Sequence, residues 1–192
     1  MGKMIRLLCM TLMVLLVGAL WVQGAENLLE NASFEEEGSS PDRSAGWNWW
    51  GDWMNRECGW APLRDGACMT GYHHWEIENA ETSGLYQDLK VEPGKMYTFS
   101  VWVNADLGDE DKDPAQKVEL RMETPLGDQQ ATIESQIYQV RYLAQGDEWS
   151  RLRIQSVAPR EDLRVLIIVH PAGKGARRTG ALKFDEASLT AE

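Results

Sequence analysis

The 192-residue chain carries 30 acidic residues against 19 basic ones, a formal net charge of −11. A surface that acidic repels phosphate backbones and anionic headgroups, so nucleic acid is excluded as an expected partner, while neutral sugars and cations are not. Nine tryptophans against three histidines and three cysteines turn attention to aromatic surfaces.

Residues 1–24 read as a secretory signal. Lys3 and Arg6 supply the positive start, Leu7 to Val22 the apolar run, and Gly24 and Ala25 the small residues at which a peptidase cuts. The run falls short of the roughly 20 apolar residues of a membrane span, although an uncleaved anchor is the alternative reading. Residues 25–192 then form one domain, more acidic still, that is expected to be secreted, extracellular or periplasmic, with no membrane contact after cleavage. Cys58 and Cys68 are the two cysteines left, and export makes a disulfide between them the default, with free thiols as the alternative.

Down the chain, Ser33-Phe34-Glu35 precedes a polar loop through Arg43. From Leu85 the period is two. Leu85, Gln87, Leu89 and Val91 share a face, and Pro93-Gly94 marks a turn. Tyr97, Phe99, Val101 and Val103 then alternate with Thr98, Ser100, Trp102 and Asn104. Val118, Leu120 and Met122 alternate with charged residues, and Ile137, Tyr138 and Val140 favour a strand. Leu152 and Ile154 alternate with Arg151, Arg153 and Gln155. Leu163 to Val169 reads as a strand covered on both faces, and Leu182, Phe184 and Leu189 fall in a last strand. No 3.6-residue apolar stripe is convincing. Many short strands with turn signals between them predict an all-β antiparallel sandwich or barrel.

Four stretches carry a resemblance. Asn27-Leu28-Leu29-Glu30-Asn31-Ala32-Ser33-Phe34-Glu35, Val91-Glu92-Pro93-Gly94-Lys95-Met96-Tyr97-Thr98-Phe99, Glu148-Trp149-Ser150-Arg151-Leu152 and Phe184-Asp185-Glu186-Ala187-Ser188-Leu189 occur in this order. Together they resemble the CenC-like carbohydrate-binding modules of families 4, 9 and 22. The resemblance implies a galactose-binding-like jelly roll and a polysaccharide partner of the β-glucan or xylan kind. Such modules are commonly fused to an enzyme, so a separate glycoside hydrolase is the implied companion. The resemblance also implies a structural calcium ion, with Glu35 and Asp185 as side-chain ligands and Ser33 as a carbonyl donor. Hard oxygen donors suit that ion. The stretch from Gly46 to Ser83 departs from the family.

That divergent stretch holds Trp47, Trp49, Trp50, Trp53, Trp60 and Trp75. Indoles stack on the C–H faces of pyranoses, so a glycan cleft wants several in a row. Alternation places Trp47 and Trp49 on one face and Trp50 on the other, so part of the cluster is expected in the core. Trp49, Trp50, Trp53, Trp75, Trp102 and Tyr138 are the candidate sugar contacts. Trp102 is expected on a cleft floor, because its parity opposes that of Tyr97 and Phe99.

Other features carry less. His73-His74 with Glu76 and Glu78 has no zinc spacing. Asn31-Ala32-Ser33 is a glycosylation sequon but also part of the family opening, and Gly173-Lys174-Gly175 lacks phosphate-loop spacing. No nucleophile elbow or metalloprotease motif occurs, so the expectation is a binding module and no enzyme. The alternatives are a cell-surface or matrix protein reusing the fold, or a jelly-roll lyase or hydrolase.

Overall fold

A computed structural model describes residues 25–51, 54–73, 81–106, 116–171 and 181–192. The signal reading for 1–24 lies outside the described residues, as do Trp53, Trp75, His74, Glu76, Glu78 and the 173–175 loop.

Among the described residues, ten strands run in chain order as β1 (Asn48–Trp50), β2 (Met54–Cys58), β3 (Cys68–His73), β4 (Ser83–Lys90), β5 (Met96–Asp106), β6 (Lys117–Leu126), β7 (Gln129–Gln139), β8 (Ser150–Val157), β9 (Asp162–His170) and β10 (Ala181–Ala191). They form two five-stranded antiparallel sheets, ordered β1-β4-β9-β6-β7 and β2-β3-β10-β5-β8. This is the expected jelly-roll sandwich.

Alternation decides which side chains meet between the sheets. On β5, Tyr97, Phe99, Val101 and Val103 are buried in the core, and Thr98, Ser100, Trp102 and Asn104 take the outer face. Leu152 and Ile154 of β8 sit opposite Val101 and Phe99. Strand β9 is central in its sheet and is covered on both sides as its unbroken apolar run predicts. Val165, Ile167 and Val169 join the core, while Leu166 and Ile168 face outward and are still buried. The Pro93-Gly94 turn joins β4 to β5 with Gly94 at a φ of 83°.

Strands β1 to β3 are not legible in the alternation pattern. They are short, and Met54-Asn55-Arg56-Glu57-Cys58 has no apolar period. They form because each lies against a neighbour whose register is well defined, β1 on β4 and β3 on β10. Strand β7 begins earlier than its apolar residues suggest and is largely exposed, since it is a sheet edge. Val140, expected in a strand, opens a single 3-10 turn, Val140–Tyr142.

The disulfide forms between Cys58 and Cys68 and closes the loop between β2 and β3. That loop folds over the outer face of the second sheet. The Asp65 N–H donates to Asp185 Oδ2 at 2.9 Å, the Lys183 ammonium donates to the Ala61 carbonyl, and Arg64 pairs with Glu186 at 2.7 Å.

Candidate functional site

The expected sugar contacts do not share one face. Trp50 and Trp102 stand on the outer faces of opposite sheets. Trp50 pairs with Gly84 on β4, and Trp102 pairs with Asp185 on β10. The placement of Trp102 on an outer face follows its parity. The Arg64 guanidinium from the β2–β3 loop stacks on the indole there, 3.9 Å from the ring centroid.

Tyr138 takes the interior side of its strand. It pairs with Val118, a core residue, and packs against the core. Its hydroxyl donates to the Arg153 carbonyl at 2.7 Å and accepts from the Arg153 N–H at 3.1 Å, which ties β7 to β8. The hydroxyl thus links the two sheets.

Trp47 and Trp49 differ in exposure. Trp47 is buried, with its ring 5.2 Å from that of Phe34 and its Nε1–H donated to the Asn31 carbonyl. Trp49 is 38% exposed beneath the Arg43 guanidinium. Trp49 pairs with core Leu85, so it shares the core-side parity, but it lies on the edge strand β1.

The outer face of the first sheet gathers the best-formed surface. A Cβ on Gly84 would lie 2.1 Å from Trp50 Cη2, so the absence of a side chain there is what lets the indole lie against the sheet. Tyr86 stands beside it, ring centroids 6.2 Å apart. Arg164 stacks on Tyr86 at 4.1 Å and is held by Asp88 through bonds of 2.7 and 2.9 Å. Register carries the face onward from Tyr86 through Leu166 to Arg121 and Ser135, and from Gly84 through Ile168 to Glu119 and Ile137.

Glu119 is the hub of the polar half. It is 4% exposed, and Oε1 accepts from Arg121 Nε at 2.7 Å and from Ser135 Oγ at 2.6 Å. Oε2 lies 2.7 Å from His170 Nε2. Burial pushes its carboxyl upward, but the bonds from Arg121, Ser135 and His170 outweigh that and hold it down at about 2. Arg121 also reaches Glu123 at 3.2 Å. The result is a fixed row of charged donors and acceptors beside an aromatic platform, the combination that orients hydroxyl-rich ligands.

Tyr86, Glu119, Arg121, Ser135 and His170 escape sequence reasoning. The alternation of Glu119, Arg121 and Glu123 with core residues is visible, but it reads equally as a solvated face. Only the pairing of β6 with β9 and β7 brings His170 and Ser135 to it.

Glu35 and Asp185 meet the same turn, residues 65–68. Glu35 Oε1 accepts the N–H groups of Ala67 and Cys68, both at 2.9 Å, and fills the space a Cβ on Gly66 would need. Asp185 is fully buried and accepts from the Asp65 and Glu186 N–H groups. Burial pushes its carboxyl up to about 6 against those bonds. No ion pair to Asp185 occurs among the described residues, so a hard cation beside it would neutralise an uncompensated charge, and the oxygen donors suit one. Ser33 is half-buried in the adjoining turn. The carbonyls of Phe34 and Glu35 accept from Arg56 at 2.9 and 2.6 Å, and no group of three or more acidic, His or Cys side chains gathers among the described residues.

No protein-family model and no curated protein matches the sequence. Solved structures do match in fold. The module TmCBM61, in complex with β-1,4-galactotriose, superposes with a TM-score of 0.61 at 17% identity, over 88% of this chain and all of that one. The CBM22-1 xylan-binding domain of Xyn10C from Paenibacillus barcinonensis gives 0.55 at 16% identity, over 87% and 95% of the two chains. A Stig cyclase from Fischerella sp. TAU, in complex with an indole compound, gives 0.58 at 16% identity, over 88% and 98%. The chain therefore has the jelly-roll fold of carbohydrate-binding modules, a fold that enzymes also use.

Proposed function

We propose that the chain is an exported, non-catalytic carbohydrate-binding module that takes a polysaccharide on the outer face of the β1-β4-β9-β6-β7 sheet. The observation that carries this reading is the Trp50 indole seated on Gly84 beside Tyr86, next to the fixed Glu119–Arg121–Ser135–His170 row. A pyranose lying on the indole buries apolar C–H surface while its hydroxyls reach the polar row. Trp53 and Trp75 belong to the same proposal on sequence grounds. The disulfide supports export of the folded domain. Any cleavage of the bound chain would fall to a separate glycoside hydrolase.

One observation favours a catalytic reading, namely a buried carboxylate contacting both Ser135 and His170 in a fold that cyclases share. Its chemistry argues the other way. A carboxyl held near 2 is ionised at ordinary pH and has no proton to give, and a carboxylate that accepts three hydrogen bonds is a weak base.

The test is affinity electrophoresis through gels containing β-1,4-galactan, xylan or mixed-linkage β-glucan. Retardation by at least one is expected, and Trp50→Ala should weaken it by about 1–3 kcal/mol, the worth of a stacked ring. Migration unaffected by every polymer would overturn the reading. We propose further that calcium is held at Ser33, Glu35 and Asp185. A chelator should then lower the melting temperature, with metal content measured before and after. An unchanged temperature on proven removal discards the ion.

A further inference from the structure

The outer face of the second sheet carries a feature that neutral polysaccharide binding does not use. Arg151 and Arg153 alternate along β8 and point to the same side, opposite Trp102 and Ser100 of β5. Both are exposed. Arg151 donates to Ser100 Oγ at 3.1 Å and stands 5.9 Å from the Trp102 ring centroid. Neither arginine has a carboxylate partner among the described residues, whereas Arg64, Arg121 and Arg164 are all ion-paired. Two uncompensated guanidiniums side by side are conspicuous on a chain of net charge −11.

Arg151 borders a pocket of about 290 Å³ whose walls include Trp102, Ser33, Ser188 and Glu186, and Arg153 stands two residues along β8 on the same face. The Glu186 charge is taken up by Arg64 at 2.7 Å, and Asp185 is buried and bonded to backbone N–H groups. On the far side of Arg153, the Glu192 carboxylate bonds to Thr98 and Gln155 and leaves the arginines free. A peptide strand is a poor fit for this rim. The β8 backbone groups at Arg153 already belong to the Tyr138 hydroxyl, which blocks strand addition there.

We infer that this pocket is a second, independent site, which takes a carboxylate-bearing sugar. The carboxylate engages Arg151 and Arg153, and the ring lies against Trp102 with its hydroxyls toward Ser33 and Ser188. Guanidinium binds carboxylate in a planar fork, and the indole contributes an apolar wall that a bare anion cannot exploit.

The experiment titrates the mature chain with oligogalacturonate, oligoglucuronate and a neutral oligosaccharide of equal length, following amide and indole N–H shifts by NMR. Sodium acetate and sulfate serve as anion controls. A uronate should shift the Trp102 indole and the Arg151 and Arg153 amides, and Arg151→Gln/Arg153→Gln should weaken it about tenfold or more. Trp50→Ala should leave uronate binding intact and damage neutral glycan binding, so the two sites fail separately. The melting temperature of the double variant reports whether it is folded, and the wild-type shift map decides the matter if it is not. No uronate response in the wild-type chain, shifts confined to the Trp50 face, or acetate binding as tightly as the uronate would each overturn the inference.

Discussion

Asn31 shows how much one side chain fixes. Its backbone is left-handed, at a φ of 44°, which asparagine tolerates better than most residues. Its Nδ2 donates to the carbonyls of Glu36 and Ala45, and its Oδ1 accepts from the Glu36 N–H. The sequon is therefore spent on structure, and the nitrogen an oligosaccharide would occupy holds two loops together. Asn31→Ala should lower stability by about 2–3 kcal/mol, from unmet backbone groups and a strained φ, as read by denaturant unfolding. Intact-mass analysis after expression in a glycosylating host should find Asn31 bare.

The loop between β2 and β3 owes its position to its two ends. Cys58 and Cys68 close it across 10 residues of sequence. Inside, the Asp65 and Lys183 contacts and the Arg64 stack on Trp102 hold it to the sheet. Replacing both cysteines by alanine should cost about 3 kcal/mol on the chain-entropy account and loosen this loop first. Hydrogen exchange at residues 59–67 would rise well before exchange in β5. The long strands were legible because half-buried strands must alternate, as β4, β5, β6 and β8 do, and because β9 is an unbroken apolar run covered on both faces. Strands β1 to β3 were not, since their formation depends on pairing partners distant in sequence. The same limit hid the site. Trp50 could be given a direction by parity, but nothing local says that Gly84 lies beneath it, or that Ser135 and His170 flank Glu119. Tyr138, an aromatic on an edge strand, likewise looks alike in sequence whether it braces two sheets or greets a ligand.

Across the whole molecule, the two outer faces differ in charge chemistry. The first binds its charges into mutual pairs around Glu119, Arg121, Glu123 and His170, with Asp88 pairing Arg164, and the second leaves two guanidiniums open. The Glu119 network links overall stability to pH. Its carboxyl lies near 2 when folded against 4.5 as the reference value, so the folded state holds the proton more weakly. The stability it confers is complete above about pH 4.5 and disappears as pH falls from there through 2. Melting temperatures between pH 6 and pH 2 should fall more steeply for the wild-type chain than for Glu119→Gln, and the two curves should converge at the acid end.

The phenol of Tyr138 has a last consequence for behaviour in crowded solution. An outermost strand normally shows a ladder of unused amide groups to every passing chain, an invitation to stack molecules edge on edge into fibrils. Here one hydroxyl occupies both rungs at Arg153 and interrupts that ladder midway along β8. The Tyr138 phenol thus works as a stopper, helping to keep neighbouring molecules from joining edge to edge.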